Sequence, residues 1–170
     1  MSLFDLSLSF VDYILKKTRP LPSSLIIPKI CFVEGGIALV HDSTVGKNVH
    51  AASSHHRTLV IEELIESLFV KFVHNHAPVP YLAADHPLFY VADFLCFTQH
   101  VQYEKLGGLV FISDYQGSEL LLSNPQIMTS PDISKESMFG GGNVGALFTA
   151  FPEKHKCSGY CCFFGLKPLI

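Results

Sequence analysis

Apolar residues recur at helical spacing over residues 4–17, FDLSLSFVDYILKK, where Phe4, Leu8, Val11, Ile14 and Leu15 fall near one face. Two lysines close that segment and RPLP stops it, so a helix is predicted here. The pattern then changes. LIIPKICFVEGGIALVHD reads as a strand pair, or one bent strand, around Gly35 and Gly36. Residues 42–57, DSTVGKNVHAASSHHR, are small and polar, which predicts a loop. TLVIEELIE predicts a strand with an acidic exit, and FVKFVHN alternates briefly. HAPVPYLAADHPLFY, punctuated by prolines, reads as loop.

The stretch VADFLCFTQHVQYEK starts like a helix and continues like a strand. Followed by LGG and then LVFISDYQG, it predicts a hairpin. SELLLSNPQIMTSPDI reads as a short strand and loop, and FGGGNVG as a glycine-rich loop. ALFTAFPEKHKCSGYCCFFGL predicts a C-terminal helical region broken at Pro152. Strands and helices mix without βα alternation, so the expected fold class is α+β.

Composition narrows the picture without naming a chemistry. The 170 residues are 48% hydrophobic and 16% charged, enough apolar material for one ordinary core. The formal net charge of −3 gives no electrostatic reason to expect nucleic acid or an acidic membrane surface as partner. No apolar run reaches the ~18 residues of a membrane span, and Asp5 and Asp12 interrupt the first apolar stretch, unlike a signal peptide. Three of the five cysteines crowd into residues 157–162, which is not how a secreted disulfide framework distributes them. The chain therefore reads as intracellular with reduced thiols, the cytoplasm being the expected compartment.

Three constellations could carry chemistry. In HKCSGYC, Cys157 and Cys161 would lie one turn apart if that segment is helical, with His155 just before them. Three such ligands suit tetrahedral zinc, and a closed site needs a fourth from elsewhere, His100 or Cys96. Those two share a face if their segment is a strand, although buried cysteine also packs as a small hydrophobe. In SDYQGSELLLSNPQ, Asp114 ends an apolar strand with Gln116 on the same side and Asn124 ten residues on. A carboxylate and amides so placed can act as a base or hold a hard cation. Turn formation explains the same residues and is the stronger reading on local grounds. The glycines of FGGGNVG permit close backbone approach to an anion, but the segment matches neither a Walker nor a dinucleotide-binding pattern.

Taken in order, DYQG, NPQI, GGGNVG and HKCSGYC resemble the motifs of the alpha-kinases, a family of atypical protein kinases; VIEELIESLFVKFVHN resembles its interlobe segment. The resemblance runs from about residue 58 to 166, its wording most like the large fungal branch. It implies a partial two-lobe kinase fold: an N-lobe portion over residues 1–66 ending at a hinge, and a zinc-stabilised C-lobe over 67–170. It implies a Ser/Thr protein kinase that uses ATP and magnesium on a protein or peptide substrate, with no nucleic-acid or membrane partner. Asp114 takes the catalytic position. Glu62 and Glu63 take the hinge facing adenine, Lys71 a nucleotide contact, and Gln116 a magnesium or nucleotide ligand. Gly140, Gly142, Asn143 and Gly145 take the glycine-rich loop. His100, His155, Cys157 and Cys161 take the zinc site, with His100 favoured over Cys96 because it stands where the family has its histidine. Asp114, Gln116 and Asn124 are expected along one cleft, with Lys71 and Glu62 on the facing wall.

Two departures stand out. The family pattern has Asp where this chain has Asn124, which removes a negative charge beside the expected magnesium ion. The helix at 4–17 resembles the N-lobe helix that follows the family's phosphate-gripping lysine, so that lysine and its strands are expected to be absent. The resemblance thus implies an N-terminally incomplete, weakly active kinase; the alternative is a zinc-stabilised pseudokinase or interaction module.

Overall fold

The first helix is set by its own start signal. Ser2 Oγ accepts the Asp5 amide at 3.1 Å while the Ser2 amide donates to the Asp5 carboxylate at 2.7 Å. This reciprocal capping box opens α1, Leu3–Lys17, as its apolar spacing predicts. The computed structural model describes residues 2–17, 20–40, 57–133 and 145–170. The loop expected at 42–57 therefore lies almost entirely outside the described residues.

Three short sheets and one ribbon follow. Strands β1 (Cys31–Phe32), β4 (Val70–Lys71), β8 (Gln116–Gly117) and β9 (Leu121–Ser123) form a four-stranded sheet in the order β1-β9-β8-β4. In it β1 runs parallel to β9 and the other pairs are antiparallel. β7 (Val110–Ser113) pairs with β10 (Gln126–Thr129). β5 (Val73–His74) pairs with β6 (Ala77–Pro80), so part of the proline-punctuated segment is strand. β2 (Gly35–Val40) and β3 (Arg57–Glu62) make an antiparallel ribbon, so the pair expected within residues 25–42 around Gly35 and Gly36 is not formed: β1 pairs with β9, and β2 with the later strand. Gly117 sits at φ +145, where a Cβ would overlap the Leu121 carbonyl oxygen; only glycine lets β8 and β9 approach so closely.

The expected hairpin at 91–113 is not formed. Residues Phe89–Lys105 are one helix, α2, and Gly107 and Gly108 (φ 64 and 73) end it before β7. Eleven of its twelve positions from Val91 to Gln102, all but Asp93, are buried. A helix enclosed all round loses its amphipathic period, and a short run of β-branched and aromatic residues then resembles a strand. On α2, Cys96 and His100 share a face through helical i, i+4 spacing rather than strand alternation. Cys96 packs in the core with Phe72 and Tyr115.

At the C-terminus α3, Gly145–Lys154, runs through Pro152 without the expected break, and α4 spans Gly159–Phe163. Pro152 falls in the second half of α3. Phe94, Phe97, Tyr160 and Phe164 form one aromatic cluster between α2 and α4, while Phe111, Phe148 and Phe151 form another beneath α3. The result is an α+β fold built around α2.

Candidate functional site

Two glutamines of α2 set the position of the DYQG segment. Gln102 Oε1 accepts the Ile112 amide at 2.7 Å and Gln99 Nε2 donates to the Ile112 carbonyl at 2.9 Å. Both backbone groups of Ile112 are thereby fixed from inside the core. One residue past the end of β7, Asp114 turns into the left-handed region at φ 59. Tyr115 then plunges into the core, where its hydroxyl meets Thr98 Oγ1 at 3.2 Å and Gln102 Nε2 at 3.4 Å. The Tyr115 carbonyl accepts the amides of both Phe72 and Val73. An isolated aspartate in this backbone conformation is disfavoured, so the buried tyrosine and the clamped Ile112 on either side hold it there.

The side chains converge at the surface end of this segment. Lys71 Nζ lies 2.6 Å from Asp114 Oδ1 and 3.0 Å from Gln116 Oε1. The Asn75 amide donates to Asp114 Oδ1 at 3.2 Å. Lys71 and Gln116 are direct cross-strand partners between β4 and β8. Lys71 therefore stands beside Asp114 and Gln116 and not across a cleft from them, contrary to the expected arrangement. Asp114 also leaves the strand before Gln116 begins the next, so a cation joins the two, not the strand alternation first expected.

Asn124 occupies the matching crossover. Ser113 pairs with Gln126 and Gln116 with Ser123, leaving Asp114–Tyr115 opposite Asn124–Pro125 in the ladder. Asn124 too is left-handed, at φ 49. Ser123 Oγ donates to Glu62 Oε2 at 2.7 Å, which puts the acidic end of β3 one cross-strand step from Gln116. Glu63 accepts the Glu34 amide at 3.3 Å, and both acids line an open depression of about 550 Å³ with Gly35, Gly36 and Ile61. Gly145 begins α3, whereas Gly140, Gly142 and Asn143 lie outside the described residues. The Asn75 amide and Tyr115 carry no motif of their own. The one clue to the tyrosine is its place between two polar residues after an apolar strand.

The second constellation is a knuckle with His100 and Cys161 buried and Cys157 exposed at its rim. The ligand atoms of His100, His155, Cys157 and Cys161 all lie within 4.8 Å of one another. Cys157 Sγ is 3.8 Å from His100 Nδ1 and Cys161 Sγ is 3.7 Å from His155 Nε2. A tetrahedral ion with bonds of ~2.0–2.3 Å has ligand–ligand edges of roughly 3.3–3.8 Å, which these separations approach. The cysteines are free thiols, so no disulfide competes.

Each element contributes one part. His100 comes from the centre of α2, and His155 follows the end of α3 with its amide on the Phe151 carbonyl. Cys157 precedes Ser158, whose Oγ caps α4 by accepting the Tyr160 amide at 3.3 Å, and Cys161 lies within α4. Burial lowers the His155 pKa to about 4, with the neighbouring His100 adding to the effect. Burial lowers that of His100 too, against the raising influence of Glu104. Both imidazoles are thus neutral, the form that ligates. Burial pushes the Cys161 thiol up to about 12, a trend a bound dication reverses by favouring thiolate. His155 Nδ1 is buried without a hydrogen-bond partner. Two imidazoles and two thiols at these distances fit a tetrahedral metal ion, and the set leaves no open position.

The family model described as the alpha-kinase family matches residues 24–161. No curated protein matches the sequence. The apoenzyme alpha-kinase domain of myosin-II heavy chain kinase A is similar with a TM-score of 0.62 at 22% identity, over 96% of this chain and 55% of that one. The alpha-kinase domain of myosin heavy chain kinase A in complex with AMP gives 0.59 at 24% identity, covering 96% and 55%. The complex with AMPPCP gives 0.61 at 25% identity, covering 96% and 53%. The chain spans about half the length of these solved structures, and the likeness to them is one of fold. With the family model matched over most of its length, the chain belongs to the alpha-kinase family.

Proposed function

We propose that this chain is a protein serine/threonine kinase domain of the alpha type, with residues 1–66 forming part of the nucleotide-side lobe and residues 67–170 the lobe that carries the transfer site. ATP with magnesium is held around Lys71, Asp114 and Gln116, with Glu62 and Glu63 toward the adenine and the segment from Gly140 to Gly145 toward the phosphates or peptide. Asp114 orients or deprotonates the acceptor hydroxyl. Phosphoryl transfer depends mostly on positioning and charge compensation, and this arrangement offers both.

The observation that carries the reading is the contact of Lys71 Nζ with both Asp114 and Gln116, at 2.6 and 3.0 Å, on a backbone pinned from the core. A cation between two oxygen donors marks where a metal-bound phosphate could exchange partners with it. Zinc in the His100–His155–Cys157–Cys161 knuckle is structural, because a closed four-ligand set keeps no position for substrate.

Turnover is slow in this reading. Asn124 keeps an amide oxygen for magnesium but not a charge; a loss of ~1.4–3 kcal/mol there lowers the rate roughly 10- to 100-fold. The test is ATP-dependent phosphorylation of a basic peptide and of the chain itself, compared with Asp114→Ala. Slow transfer abolished by that substitution supports the reading. Transfer that survives it removes Asp114 from the mechanism.

The second reading, a pseudokinase or interaction module, rests on the same ion pair: Lys71 occupies the carboxylate that magnesium or substrate would need. Saturable nucleotide binding without any transfer, unchanged by Asn124→Asp, favours it.

A further inference from the structure

Helix α1 buries three side chains on one face, Phe4, Ser7 and Val11. Val11 packs into the aromatic cluster of Phe94, Phe97 and Tyr160. The other two, one turn apart, act on a different residue, Tyr115, the chain neighbour of Asp114. The Phe4 and Tyr115 ring centroids lie 6.3 Å apart. Phe32 of β1 stands edge-on to Phe4 at 5.5 Å and stacks with Tyr115 at 6.3 Å.

Ser7 is the polar member of that face, and it is fully buried between two apolar residues. A hydroxyl taken out of water costs free energy unless it is bonded. Here it is bonded twice. Its Oγ donates to the Thr98 carbonyl at 3.4 Å and accepts from Gln102 Nε2 at 3.1 Å. Gln102 Nε2 also reaches the Tyr115 hydroxyl at 3.4 Å, while Gln102 Oε1 holds the Ile112 amide at 2.7 Å. Helix α1 therefore grips Tyr115 at the ring through Phe4 and at the hydroxyl through Ser7 and Gln102. Asp114 lies between the two points so fixed, Ile112 and Tyr115. Its backbone, at φ 59, is a conformation that persists only when its surroundings impose it.

We infer that Ser7, with Phe4, is a positioning residue for Asp114: the seating of α1 against α2 sets how the Asp114 carboxylate meets Lys71 and the Asn75 amide, and lifting α1 disarms the transfer site. The consequence for transfer rests on the kinase reading given above. The consequence for the geometry of Asp114 does not.

Ser7→Ala removes the hydroxyl and keeps a good helix former. Val11→Ala is the control, because it weakens the same helix in a core cluster that Tyr115 does not belong to. In NMR spectra of the full chain, Ser7→Ala should displace the signal of the Asn75 amide, which donates to Asp114 Oδ1, and Val11→Ala should leave it in place. In the phosphorylation assay Ser7→Ala should lower kcat roughly tenfold with KM for ATP little changed, and Val11→Ala should stay near wild type. An Asn75 signal that stays in place in Ser7→Ala, or that moves as far in Val11→Ala, would overturn the inference. A displaced signal with unchanged kcat would overturn its link to transfer. If no form of the chain transfers phosphate, the kinase reading fails and the amide signal alone decides. If Ser7→Ala does not fold, hydrogen exchange of the wild type in rising denaturant decides. The Ile112 amide should lose protection together with the amides of α1, and an Ile112 amide that outlasts them refutes the coupling.

Discussion

Helix α2 buries Thr98, Gln99, His100 and Gln102, while the β2–β3 ribbon leaves Ile37, Leu39, Val60 and Ile61 in solvent. The difference lies in partners, not in hydrophobicity. The buried amides of α2 work at short range: Gln102 reaches Ile112, Ser7 and Tyr115, and Gln99 Nε2 reaches the Ile112 carbonyl, though Gln99 Oε1 is buried without a partner. A buried polar group with partners costs little, and one without them costs a great deal. Among the described residues the ribbon's two strands pair only with each other, and their apolar side chains stay exposed. The candidate site hangs between these regions: Asp114 is placed by the glutamines of α2, and Glu62 comes from the end of the ribbon.

Removing the metal should separate the two regions most. With zinc a thousandfold above its dissociation constant, its loss withdraws about 4 kcal/mol. For a domain of this size that is a fall of roughly 8–16 °C in melting temperature, which differential scanning fluorimetry with and without a chelator would show. The metal-free chain should also weaken with acid. His155 is held at about 4 in the fold against an ordinary value of 6.5. The unfolded chain then binds more protons between those values, so stability is full above about 6.5 and falls as the pH drops toward 4. A melting temperature that is flat across that window would break the argument for a neutral buried His155.

A smaller loss is expected from Gln102→Leu. It keeps the volume but strands the Ile112 amide, the Ser7 hydroxyl and the Tyr115 hydroxyl. With ~1–3 kcal/mol for each buried group left unsatisfied and partial rescue between Ser7, Thr98 and Tyr115, a net loss of about 2–4 kcal/mol follows. Urea unfolding measures it. A change below about 1 kcal/mol would mean the network is dispensable.

The least effect is expected on the ribbon. Ile37→Thr exchanges an exposed apolar residue for a polar one of good strand propensity, and stability should change by less than about 0.5 kcal/mol. A loss as large as that at Gln102 would show that something covers this face.

Much of this was legible in the sequence, for physical reasons that differ by region. Helix α1 keeps one face in water, so its period survives in the residues, and Lys16, Lys17 and the RPLP that follows mark its end. The knuckle could be read because His155, Cys157 and Cys161 are close in the chain and metal ligands form a small chemical alphabet. The fourth ligand, His100, came through family resemblance, since nothing local separates it from Cys96. Helix α2 reads in part as a strand because burial on nearly every side over residues 91–102 erases its period. Pro152 misled as well: α3 continues through it. The placement of Lys71 beside Asp114 was not legible, because it depends on the register of β4 against β8, two residues long and far apart in sequence.

Metal content tests most directly the claim that α2 is stitched to the C-terminal helices through His100. Mass spectrometry of the native chain, or elemental analysis after gel filtration, should find one zinc per chain. The zinc should be lost in His100→Ala and Cys161→Ala but kept in Cys96→Ala. Zinc lost with Cys96 and retained without His100, or a metal-free chain with Cys157 and Cys161 joined by a disulfide, would contradict it.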